Sequence, residues 1–65
     1  MIALTRPNGQ ALLLNCDLIE SVEHNGETVI SLTTGNAVVV REPIDEIERK
    51  VVAFKRKIFA REPAG

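Results

Sequence analysis

The hydrophobic period changes once along the chain, at Glu42-Pro43, and this change separates a β-rich segment from a helix. Before it, short runs rich in Val, Ile and Leu are separated by Pro, Asn and Gly, which is typical of strands joined by turns. After it, apolar residues recur every three or four positions, as they do on one side of a helix. The sequence therefore predicts an α+β domain.

Five short strands are predicted within residues 1–41: "MIALTR", "ALLLN", "SVEH", "TVISLTT" and "AVVVR". Turn residues separate them, and Asn25-Gly26 favours a type I′ hairpin. Between the second and third strands, "CDLIES" predicts a brief helical turn that Asp17 caps and that places Leu18 and Ile19 in the core. We expect a small antiparallel sheet, either open or curled into a small barrel.

One amphipathic helix is predicted over residues 43–60, followed by a frayed tail at 61–65, so that residues 1–65 form one domain. Pro43 suits the first helical turn, and acidic residues precede basic ones along the helix, as the helix dipole favours. The apolar stripe is expected to lie on one face of the sheet and consists of Ile44, Ile47, Val51, Phe54 and Ile58.

The predicted strands carry apolar residues on both of their faces. Val38 and Val40 should point to one side and Val39 to the other, because successive side chains of a strand alternate. A single helix can cover only one face of a sheet. We therefore predict a protein interface either on the uncovered sheet face or on a second apolar line of the helix. The candidate residues on the sheet face are Leu13, Val29 and Val39, and those on the helix are Val52 and Phe59.

The small size of the chain favours self-association. A domain of 65 residues is near the lower limit of what folds without disulfides, metals or oligomerisation. Cys16 is the only cysteine, so no disulfide forms within the chain, and Cys16 and His24 alone are too few soft ligands for a zinc site. A homo-oligomer, either a dimer or a larger assembly, is the remaining means of stabilisation.

No recognisable catalytic motif is present, and we expect neither enzymatic activity nor a cofactor. The sequence has no Gly-rich phosphate loop, no HExxH and no GxSxG. Cys16 would need a base to act as a nucleophile, and His24 is the single candidate. We interpret Cys16 as a packed residue or an inert surface thiol, and His24 as an exposed residue beside a turn.

Basic residues cluster near the end of the helix in "KRKIFAR". They could form a nucleic-acid patch, or they could be placed there by the favourable interaction with the helix dipole or by contact with a protein partner. We favour the second interpretation. The net charge of −1 gives no general attraction to polyanions. The residues of the nucleic-acid alternative are Arg6, Arg41, Lys55, Arg56, Lys57 and Arg61.

Five segments in order make the chain resemble the FlbD family of small flagellar proteins, also called swarming motility D proteins. They are "MIALTRPNG", "LNCDLIESVE", "TVISLTTG", "VVVRE" and "EIERKVVAFKRKI", and together they cover residues 1 to about 58. The chain departs from the family pattern at Gly26-Glu27, where a Pro-Asp pair is usual, and at Ala11-Leu12, where an aromatic is usual.

The FlbD resemblance implies a non-enzymatic bacterial protein that supports motor power through the torque-generating stator. It would be cytoplasmic, because no long apolar segment or signal peptide is apparent in the sequence. It would reach the flagellar motor and the membrane only through a partner. Its expected partners are another copy of itself and components of the motor or stator, and no nucleic acid is expected.

Two further resemblances favour a nucleic-acid regulator instead. "MIALTRPNGQ" and "VVREPIDEI" are similar to segments of carbon storage regulators, which are small strand-swapped RNA-binding dimers. The segment from "LIESVEHNGE" to "IDEIERKV" is similar to the hairpin and helix of LytTR-type DNA-binding domains. Either alternative implies binding that weakens steeply with salt.

Overall fold

Five antiparallel strands and one long helix make up the described part of the chain, which confirms the α+β prediction. The computed structural model describes the backbone of residues 1–61 and the side chains of residues 1–58. The elements are β1 (Ile2–Thr5), β2 (Ala11–Leu14), a 3-10 turn (Cys16–Leu18), β3 (Ile19–His24), β4 (Thr28–Leu32), β5 (Ala37–Val40) and α1 (Ile44–Arg61).

The strands form two small sheets and do not close into a barrel within the described residues. One sheet is the β1–β2 hairpin, and the other has the strand order β3-β4-β5. The sheets meet where β1 and β5 end: the Arg41 N–H donates to the Thr5 carbonyl at 2.8 Å, and the Thr5 N–H donates to Glu42 Oε1 at 2.9 Å. These two bonds fix the position from which α1 starts.

The core lies between the two sheets and the first turns of α1. The strand register places Ile30 between Val22 and Val38 on one face of the three-stranded sheet. Leu14, Ile30 and Val40 are buried, as the alternation in the sequence predicts. The buried apolar residues are Ile2, Leu4, Leu14, Cys16, Ile30, Val40 and Ile47.

The turn between β2 and β3 differs from its prediction. Asn15 is the capping residue, since its Oδ1 accepts from the Asp17 N–H at 3.0 Å, and Asp17 does not cap the turn. Leu18 is exposed, whereas Cys16 is buried and Ile19 packs against the core. A 3-10 turn repeats every three residues, so Cys16 and Ile19 share its inner side and Leu18 points outward.

The β3–β4 connection is a hairpin, but the predicted type I′ turn is wrong. His24 pairs with Thr28, which leaves a three-residue loop. A type I′ turn needs a positive φ at both central residues. Gly26 has a φ of +79°, whereas no non-glycine residue in the described chain has a positive φ.

Helix α1 extends beyond the sheets instead of lying along them. An α-helix rises 1.5 Å per residue, so 18 residues span about 27 Å, whereas strands of four to six residues span at most roughly 20 Å. Ile47 is 2% exposed, but Ile44 is 40% and Ile58 48% exposed. The prediction that the whole stripe is covered by the sheet is therefore wrong at both ends of the stripe.

Candidate protein-interaction surfaces

An open apolar groove separates α1 from β3. It has a volume of about 460 Å³, and we call it the α1–β3 groove. One wall comes from the 3-10 turn and β3, which is an edge strand of its sheet, and the other wall comes from α1. Its lining residues are Cys16, Ile19, Val22, Ile44, Ile47, Glu48, Val51, Val52 and Lys55.

The groove exposes more apolar surface at its rim than at its floor. Cys16 and Ile47 are buried at the bottom, while Val52 on the outer wall is 44% exposed. Ile58 continues the apolar surface beyond Lys55 and lines a smaller adjacent cleft with Asp17 and Phe54. A group of exposed apolar side chains beside an open groove is typical of a site that binds another protein.

The predicted interface residues divide between different surfaces. Val29 and Val39 are cross-strand partners on the outer face of the three-stranded sheet, where they are half-buried. Glu23 lies opposite Val29 on the other side, so this face is only partly apolar. Leu13, on β2, is 69% exposed. Val52 alone of the five lies in the groove, and the side chain of Phe59 is outside the described residues.

Glu48 is the acidic residue of the α1–β3 groove. The other acidic residues of the first half of α1 pair along the helix: Asp45 with Arg49 at 3.3 Å, and Glu46 with Lys50 at 3.9 Å. Among the described side chains Glu48 has no ion-pair partner. Lys55, one helical repeat of seven residues further on, lies 3.8 Å from the Asp17 carboxylate in an exposed contact, which contributes little to stability.

The carboxylate of Glu42 stabilises the junction of the two sheets, where β1 and β5 end. Partial burial raises the pKa of Glu42, but hydrogen bonds from the Thr5 N–H and hydroxyl and from its own N–H, together with the nearby Lys50 charge, lower the pKa by more. The net result is a pKa below the ordinary value of 4.5. Glu42 is therefore ionised at neutral pH and stabilises the junction as an anion.

The basic residues of the nucleic-acid alternative lie in two separate groups. The Arg41 guanidinium donates to the Pro7 carbonyl through Nη2 at 2.8 Å and Nε at 3.2 Å, so it stabilises the β1–β2 turn, beside exposed Arg6. Lys55, Arg56 and Lys57 are exposed on α1. Helix α1 begins at Ile44, three residues after Arg41. At 1.5 Å per residue, Lys55 lies about 16 Å along the helix axis from Ile44, so the two basic groups are apart. Arg61 is the last residue of α1, and its side chain is not described.

The structure does not bring Cys16 and His24 together. Cys16 is a buried free thiol before β3, and His24 is exposed at the far end of that strand. Strand β3 runs from Ile19 to His24. Its five residue steps of roughly 3.3 Å each place Cys16 and His24 more than about 15 Å apart. Within residues 1–58, no group of three or more His, Cys, Asp or Glu side chains could hold a metal ion.

Periodicity assigns Ile44, Val51 and Ile58 to the core stripe. Val51 is half-buried and packs against the core, whereas Ile44 and Ile58 are exposed. A finer signal was available in the sequence. Positions 44, 48, 51, 55 and 58 recur at alternating steps of four and three and so lie on one side of the helix, with apolar residues at 44, 51 and 58. Two of these positions, Glu48 and Lys55, carry opposite charges.

Comparisons with known proteins identify one family. The family model described as "FlbD: Flagellar and Swarming motility proteins" matches residues 1–59 of the chain. No curated protein and no solved structure matches the chain. Among the described residues, no helix is both long enough and apolar enough to span a membrane.

Proposed function

Since the chain belongs to the FlbD family of flagellar and swarming motility proteins, we propose that it is a non-enzymatic protein that supports the flagellar motor by binding another protein. The family match over residues 1–59 is the observation that carries the proposal. The partner we propose is the torque-generating stator. The protein would then act in the cytoplasm at the motor and approach the membrane only through that partner.

Exposed apolar side chains away from the core support a binding role. Leu13 is the most exposed of the large apolar residues of the described chain. It stands on β2 opposite Ala3 of β1, so a small flat apolar surface is available on the outer face of the hairpin. Burying a fully exposed Leu side chain is worth roughly 1.5 to 3 kcal/mol, so a partner that covers Leu13 gains affinity there. We propose this hairpin face as the contact with the motor.

The test is a comparison of two charge-matched variants in motile cells. Leu13→Asp places a carboxylate on the hairpin face, whereas Thr33→Asp places one on an exposed turn as the control. We expect the first variant to lower motor torque, measured on tethered cells or beads, and to lose crosslinking to stator components. The second should match the wild type in both measurements, and circular dichroism should show that both variants fold.

Two results would contradict different parts of the proposal. Normal torque after deletion of the whole chain would refute a role in the motor. Reduced torque on deletion, without any crosslink between the wild-type chain and the stator, would refute the stator as the partner while leaving the motility role in place.

A further inference from the structure

We propose that the α1–β3 groove is the interface between two copies of this chain, in which the α1 helices pair antiparallel about a two-fold axis between Val51 and Val52. This inference does not depend on the flagellar function. It rests on the open groove, on the spacing of the residues that line its helical wall, and on the distribution of charge along α1.

The helical wall has the spacing of a helix-pairing surface. Taking 100° per residue, positions 44, 48, 51, 55 and 58 fall within an arc of roughly 80°. We call these five positions the seam: Ile44, Glu48, Val51, Lys55 and Ile58. The seam shares Ile44, Val51 and Ile58 with the apolar stripe, and its centre lies about 60° around the helix from the buried Ile47. A second helix placed on the seam would therefore contact both α1 and the β3 wall of the groove.

The two-fold arrangement brings each seam residue to a suitable neighbour. With the axis between Val51 and Val52, these two valines face each other across the centre in both directions. Glu48 of one copy then lies opposite Lys55 of the other, and the pair occurs twice because the interface is isologous. Ile44 comes within one residue of the level of Ile58, so the apolar ends also meet. The exposed side chains of the seam are thereby covered.

The charge along α1 selects the antiparallel direction. Residues 44–51 contain three acidic and two basic side chains, whereas residues 52–58 contain three basic side chains and no acidic one. Antiparallel pairing places the acidic half of each helix against the basic half of the other. Parallel pairing would place Lys55 of one copy opposite Lys55 of the other and Glu48 opposite Glu48, and like charges at close range oppose association.

A second copy is a better occupant of the groove than a nucleic acid or an unrelated helix. Glu48 lies inside the groove and would repel phosphate, while Lys55 lies seven residues away on the same wall. A suitable partner must therefore place a basic side chain opposite Glu48 and an acidic side chain opposite Lys55, with apolar residues between them. The seam of another copy presents this pattern when it runs in the opposite direction.

The oligomeric state of the full chain provides the first test. We expect sedimentation equilibrium across the micromolar range to show a monomer–dimer equilibrium for the wild type. Val52→Asp should abolish the dimer, whereas Ala53→Asp, an exposed neighbour about 100° around the helix, should leave it intact. A wild-type chain that stays monomeric, or a Val52→Asp chain that dimerises normally, would refute the proposal.

Charge reversal tests the direction and register of the pairing. Glu48→Lys and Lys55→Glu should each raise the dimer Kd by about tenfold, because each places like charges together at two symmetric positions. The double variant should restore the wild-type Kd. In a parallel pair, position 48 would face position 48, so the single variants would leave the Kd unchanged. That outcome, or a double variant weaker than either single one, would exclude this geometry. Circular dichroism confirms that each variant folds, since Lys55→Glu also loses the contact with Asp17.

Discussion

The attachment of α1 to the sheets depends on Ile47, and its replacement gives the sharpest test of the fold. Ile47 is 2% exposed and is the one helix residue of the buried core in the described chain, while Ile44, three residues earlier, is 40% exposed. Ile47→Ala and Ile44→Ala make the same chemical change in the same helical turn. The two variants differ only in how much of the side chain the protein covers.

The exposures give the expected magnitudes. Replacing Ile by Ala removes three carbon groups, worth about 0.8 kcal/mol each when fully buried, and the cavity left behind raises the loss to roughly 2.5–4 kcal/mol for Ile47. Ile44 is little more than half buried, so its loss should be about 1–1.5 kcal/mol by the same reasoning. A domain of this length has a free energy of unfolding of roughly 3–10 kcal/mol, so the first loss is a large part of the total.

Urea unfolding followed by far-ultraviolet circular dichroism measures both losses. It should be carried out at protein concentrations where each chain sediments as one copy, so that dissociation does not contribute. If Ile47→Ala does not fold, Ile47→Val should still lose about 1 kcal/mol, since it deletes one buried group. Equal losses at positions 44 and 47 would refute the placement of α1 with Ile47 inward.

Further predictions concern the junction, the turn and nucleic acid. The pKa of Glu42 is lowered in the folded protein, so its stabilising contribution is present above the unfolded pKa and is lost as the pH falls through the folded pKa. The stability difference between wild type and Glu42→Gln should therefore shrink below about pH 4.5. A difference that stays constant with pH would contradict this role. Arg41→Met should cost about 1 kcal/mol in urea unfolding and shift the amide resonances of the turn after Pro7, whereas unchanged resonances would show that the guanidinium does not hold that turn. Asn15→Ala should lose about 0.5–2 kcal/mol in the same assay, and Asp17→Ala should lose less; the reverse order would contradict capping by Asn15. RNA and DNA titrated at low and moderate salt should bind weakly and without sequence preference, and tight, steeply salt-dependent binding would favour a nucleic-acid regulator.

Alternation within the strands predicted the face that each strand turns to the core. The period of a strand is two, so the placement of Ile30 and Val40 inside and Val39 outside follows from the chain alone. The same holds for the separation of strands by turn residues and for the start of the helix directly after Pro43. These features are local, because each depends on residues that are close together in the sequence.

Turn geometry was predicted less well, since the same residues permit several backbone paths. Asn25-Gly26 favours type I′, but the pairing of His24 with Thr28 leaves three residues in the loop and only Gly26 at a positive φ. The register of the two strands decided the turn, and that register depends on packing of the sheet. Capping by Asn15 instead of Asp17 has a similar origin, because the 3-10 turn includes Asp17 and the residue before Cys16 occupies the capping position.

The sequence by itself determined the strands, the helix, the inward faces and the family, because hydrophobic period and residue order are written in the chain. Only the tertiary structure decided that α1 leaves the sheets after its first turns and that an apolar groove stays open beside β3. Periodicity shows which side of a helix is apolar, but not how much of that side the short strands can cover. The lengths of the packed elements set that limit, and they leave Ile58 exposed.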